Sequence, residues 1–127
     1  MQELHLFEYA IIRVVPRVER EEFLNVGVIL YSAKQKFLQS AFVIDEEKLR
    51  AFSSDLDIEE VRANLNSLCR ICKGGKDSGP IGQLDLASRF RWLTAMRSTV
   101  VQTSRVHPGF CNDPLGKLER LMAEQVL

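Results

Sequence analysis

Residues 6–31, L-F-E-Y-A-I-I-R-V-V-P-R-V-E-R-E-E-F-L-N-V-G-V-I-L-Y, constrain the fold more than any other stretch of the chain. They predict two strong β-strands joined by a short charged connection. Residues 6–15 are apolar on both alternating faces, with Glu8 and Arg13 as the exceptions. Residues 25–31 set Val26, Val28 and Leu30 on one face and Ile29 and Tyr31 on the other. Strands that are apolar on both faces are covered on both faces, so this pair belongs in the middle of a sheet. Arg13 stands out, because a charge within such a strand needs a partner or an anionic ligand. Pro16 closes the first strand, and Gly27 inside the second marks a bulge or a close backbone approach.

After a polar break at residues 32–35, a third strand is predicted over residues 36–44, completing an antiparallel meander. Asp45 caps a short helix that turns Leu49 and Phe52 toward the sheet. Asp57 caps a longer helix in which Ile58, Val61, Leu65, Leu68 and Cys72 form one apolar stripe. Residues 73–82, K-G-G-K-D-S-G-P-I-G, hold four of the seven glycines and predict a mobile loop. Helical spacing returns over residues 85–94, a β-branched fourth strand over 98–103, and a loop over 105–111. Asn112-Asp113-Pro114 opens a closing helix whose apolar face is Leu115, Leu118, Leu121 and Met122. The order β-β-β-α-α-α-β-α predicts an α+β domain, a largely antiparallel sheet of about four strands packed by helices.

The chain has 127 residues, enough for one domain (1–127) with a core that needs no staples. Its 17 basic and 17 acidic residues cancel, which argues against nonspecific nucleic-acid binding, and no nucleic-acid partner is expected. No apolar run is long enough for a membrane span, and the first residues lack the features of a signal peptide. Three cysteines, an odd number, predict reduced thiols and a cytoplasmic location.

Four blocks carry a resemblance: Y-A-I-I-R-V-V-P at residues 9–16, E-F-L-N-V-G-V-I-L at 22–30, F-R-W-L-T-A-M-R-S-T at 90–99 and S-R-V-H-P-G at 104–109. Together they resemble the bacterial family catalogued as domain of unknown function three thousand and thirty-seven, over nearly the whole chain. Met96 departs from the pattern, where the resemblance implies a proline. The resemblance brings no catalytic residues. It implies a partner, because members are often encoded beside a protein resembling the HipA-type toxin kinases.

Several constellations could carry chemistry. Arg13, Arg91 and Arg97, with Ser98, Thr99 and His107, form a candidate anion-binding set, since arginines with hydroxyls and free backbone N–H groups hold phosphate or carboxylate. The competing reading pairs these arginines with Glu8, Glu19 or Glu22. Cys69-x-x-Cys72 sits at the end of a helix rather than at its start, where the dipole disfavours a thiolate, so Cys72 reads as a core residue. Cys69, Cys72, His107 and Cys111 would be a legitimate zinc set, but a chain with this much core needs no metal to fold, and neither metal nor cofactor is expected. Lys73-Gly74-Gly75-Lys76 follows a helix instead of preceding one and lacks the P-loop context.

Two functional readings remain. The first is a non-enzymatic protein-interaction module, with a HipA-like kinase as the partner the resemblance implies. The second is a small enzyme or ligand-binding domain for a phosphorylated or carboxylated molecule, acting through the Arg/Ser/Thr/His set.

Overall fold

The structure, a computed structural model, describes residues 3–95 and 99–127. Its α+β architecture is built on β1 (His5–Val14), the strand with the densest apolar sequence. β2 (Leu24–Ser32) returns antiparallel beside it, and β3 (Phe37–Phe42) lies outside β2. On the other side of β1 run two short antiparallel strands, β4 (Val101–Thr103) and β5 (His107–Cys111), end to end. The described residues thus form a five-stranded sheet with β1 inside and β3 at one edge. Four helices complete it: α1 (Glu46–Phe52), α2 (Ile58–Lys73), α3 (Leu86–Leu93) and α4 (Pro114–Gln125).

The doubly apolar character of β1 is used on both sides. Ala10, Ile12 and Val14 pack with Ile29, the α2 stripe from Ile58 to Cys72, and Phe90 and Leu93 of α3. Phe7 and Ile11 pack on the opposite face with Val28, Leu30, Cys111 and Leu118 and Leu121 of α4. Each helix starts where the sequence offers a cap. Asp45, Asp57, Asp85 and Asp113 all accept backbone N–H groups of their first turns.

Gly27 is both things its position predicts. It adjoins a bulge at which the β1–β2 register shifts between Ile12 and Arg13, and a Cβ there would lie 2.4 Å from Ala41 O and 2.8 Å from Phe42 Cβ. Three details differ from the sequence expectation. Phe52 and Leu115 are exposed, because α1 and α4 each turn a narrower face inward than their apolar content allows. Residues 73–82 hold two short 3-10 turns, Lys76–Ser78 and Ile81–Gln83, with Ser78 Oγ donating to Gly75 O at 2.6 Å.

The third difference is β5, which lies within the expected loop 105–111. Val15 N–H donates to Val100 O, which fixes the phase of the ladder on this side of β1. It points Pro108 outward, where a missing N–H breaks no pairing. Gly109 leaves room for the Phe7 ring, which a Cβ would meet at 2.5 Å. Between β4 and β5 the ladder is bridged by a side chain. Ser104 N–H donates to Ile11 O at 2.8 Å, while Ser104 Oγ accepts from Ile11 N–H at 2.8 Å.

Candidate functional site

Of the anion-binding set, Arg13 and His107 share the α4 side of the sheet, since their partners Asn25, Gln102 and Tyr9 place them in register with Phe7 and Ile11. Their positions along β1 are four residues apart, about 13 Å. Arg13 is met by an aromatic ring instead of a carboxylate, its guanidinium carbon lying 3.8 Å from the Phe23 ring centroid. Burial lowers its pKa, and its Nε is buried without a hydrogen-bond partner. His107 rests against Tyr9, with ring centroids 5.3 Å apart. Arg91 is exposed on α3, on the far side of the sheet from both. Thr99 Oγ1 donates to Val101 O at 2.7 Å in the turn before β4. Arg97, Ser98 and also Met96 lie outside the described residues. Among the described residues the ion pairs are Arg20–Glu22, Arg62–Glu46 and Arg62–Glu59, none of which takes Arg13 or Arg91.

The four-residue zinc set is divided by the sheet. Cys72 packs in the core under α2, whereas Cys111 packs in the core under α4. His107 shares β5 with Cys111, and Cys69 shares α2 with Cys72. Among the described residues no group of three or more potential ligands could hold a metal ion.

A different place gathers unused polar groups. Val43 N–H donates to Val26 O at 2.8 Å, which sets the phase of the β2–β3 ladder. The backbone groups of Phe37, Gln39 and Ala41 therefore turn toward β2, and those of Leu38 and Ser40 turn to the free edge. Beside this edge is a cleft of about 490 Å³ between β3, the last turn of α2 and the start of α3. It is lined by Lys36, Lys73 and Arg89, together with Ser40, Cys69 and Cys72, and by no carboxylate.

Each of these side chains is placed by local structure. Lys36 ends the β2–β3 turn with φ 51°, in the left-handed region, where glycine or asparagine is the usual occupant. Lys73 is the last residue of α2, where a cation complements the helix dipole. Arg89 reaches back from α3 to cap α2, with Nη1 donating to Ile71 O and Cys72 O at 3.0 Å each. Its Nε donates to Leu84 O at 2.9 Å. Gly74, at φ 71°, makes this possible, because a Cβ there would lie 2.8 Å from Arg89 Nη1. Ser40 Oγ and Cys69 Sγ are 3.2 Å apart at the cleft wall. Burial pushes the Cys72 thiol up to about 12, so it is protonated and unreactive near neutrality.

The opposite edge is different. It is broken at Ser104, and at Pro108 it has no N–H to offer. Among the described residues, the β3 edge has no such break and no proline.

A family model described as Protein of unknown function (DUF3037) matches residues 9–126, from β1 to the end of α4. The chain belongs to that family. No curated protein and no solved structure matches it. Within the DUF3037 chain, Arg89 and Lys36 are functional candidates that sequence reasoning missed. Arg89 sits in a helix like any surface arginine, and only the Gly74 close to α2's end hints at a side chain arriving there. Lys73 is in the stretch expected to be a loop, but it belongs to α2. No helix of the described residues is long and apolar enough to cross a membrane.

Proposed function

We propose that this member of the DUF3037 family is a protein-interaction module that adds an extended segment of its partner to the free edge of β3. The observation that carries the reading is the asymmetry of the two sheet edges. β3 presents Leu38 and Ser40 backbone groups in phase, without proline or charge in its six residues. Helices α2 and α4 pack against β3, and the cleft opens beside its edge. Strand addition draws its affinity from main-chain hydrogen bonds and its selectivity from alternating side chains.

The discriminating variant is Ser40→Pro. The Ser40 N–H points away from β2, so proline there leaves the β2–β3 ladder whole and removes one donor from the edge. Tagged wild type and Ser40→Pro are each used to capture proteins from a lysate of the source organism, followed by mass spectrometry. The reading expects a partner recovered by wild type and lost by a Ser40→Pro protein of normal circular dichroism. Equal capture by both would refute docking at this edge. On the family resemblance, a HipA-like kinase is the first protein to test as that partner.

A further inference from the structure

We infer that the segment docked on β3 is acidic, carrying aspartate or glutamate side chains that face Lys36 and Lys73. This rests on the strand-addition reading and adds to it the chemistry of the partner. The chain as a whole is neutral, yet the cleft beside the edge holds three cations and no carboxylate. The ion pairs among the described residues take neither lysine. Arg89 has already committed Nε and Nη1 to backbone carbonyls, so it contributes fixed positive potential and holds the α2 end in place. Asp85, next to the cleft-lining Leu86, caps α3 through Ser88 N–H at 2.7 Å and partly offsets Arg89, so the two lysines carry the unbalanced charge of the cleft.

Position supports the assignment. Lys36 directly precedes β3 and Lys73 ends α2, and both line the cleft beside Leu38, so the edge has a cationic end where Lys36 stands. A strand running past Leu38 and Ser40 would bring one or two of its alternate side chains to that cationic end. Lysine in a left-handed backbone conformation is unfavourable relative to glycine or asparagine, and strain of this kind gathers at functional positions. Charge also argues against a second copy as the occupant. The β3 strand of a second copy, F-L-Q-S-A-F, carries no carboxylate, so pairing β3 with β3 would leave Lys36 and Lys73 without a counter-charge.

The experiment uses the full chain and three fluorescent eight-residue strand-forming peptides, with two glutamates, two glutamines or two lysines at alternate central positions. Binding is read by anisotropy at low and high salt, on wild type, Lys73→Glu, Lys36→Glu and Ser40→Pro. The expected result is a glutamate peptide bound about tenfold more tightly than its glutamine counterpart, since two exposed charge pairs contribute about that much. The advantage should shrink in high salt and reverse toward the lysine peptide in Lys73→Glu. Equal affinity for all three peptides, weakened by Ser40→Pro, would overturn the acidic preference and leave strand addition standing. A glutamate preference untouched by Ser40→Pro but lost in Lys73→Glu would support the cationic cleft and overturn strand addition. Inorganic phosphate displacing the peptide at equal concentration would overturn the acidic segment in favour of a small anion. No binding of any peptide at millimolar concentration would overturn the inference.

Discussion

Replacing Ser104 by alanine tests how the sheet is closed on its β4–β5 side. The hydroxyl accepts the Ile11 N–H at 2.8 Å and donates to Arg105 O at 2.8 Å. Ile11 is 6% exposed and Ser104 8%, so water cannot readily take over the acceptor role at that N–H. Arg105 is exposed, and its carbonyl can turn to solvent. The loss is therefore one buried donor left without an acceptor, worth about 1–3 kcal/mol. For a domain of this size that lowers the melting temperature by roughly 5–10 °C. Urea melts of wild type, Ser104→Ala and Ser104→Thr give the free energies, with threonine keeping the hydroxyl and most of the stability. Amide exchange adds a local readout, in which the Ile11 N–H becomes faster in the alanine variant. Stability within about 0.5 kcal/mol of wild type, with Ile11 exchange unchanged, would refute the idea that this side chain completes the ladder.

Gly27→Ala drives a Cβ into Ala41 O and Phe42 Cβ, so β3 must shift, and a destabilisation of about 1–3 kcal/mol is expected in urea melts. An unchanged midpoint would mean that β3 yields freely. Cys72, with its thiol pushed up to about 12 by burial, should resist alkylation in the native protein at pH 8 and react on unfolding. The unfolded thiol ionises near its ordinary value of 9.0 and the folded one only near 12. Its contribution is thus complete below pH 9 and is lost as pH rises through that window. Wild type should therefore lose stability faster than Cys72→Ala between those limits, and parallel pH profiles would contradict the burial assigned to this thiol.

What the sequence revealed and what it hid separate along physical lines. Residues 6–15 and 25–31 are so continuously apolar that only a central place in a sheet suits them, and β1 and β2 take it. The α2 stripe is equally plain, and Ile58, Val61, Leu65, Leu68 and Cys72 are all buried. β5 stayed hidden because Pro108 and Gly109 break most strands. They are tolerated here only through a phase of hydrogen bonding that depends on β1, far away in sequence. The candidate site was hidden for a related reason. Lys36, Lys73 and Arg89 come from three separate elements, and no local spacing ties them. Which strand stands at the edge is a property of strand order, and strand order leaves no periodic trace along the chain. Arg13 was conspicuous in sequence, and its neighbour proved to be the Phe23 ring.

The division of labour on the far side of β1 also sets a timetable for the nascent chain. β2 emerges from the ribosome soon after β1 and covers one flank. The other flank waits for Ser104 and the strands around it, 93 residues downstream of Ile11. At about 5–20 residues per second, that wait lasts on the order of 5–20 s. During it, a ten-residue apolar strand offers unmatched N–H and C=O groups to any neighbouring polypeptide. Premature termination before His107 would make that exposure permanent, so truncated products of this gene should appear in inclusion bodies or degradation assays while the full chain folds.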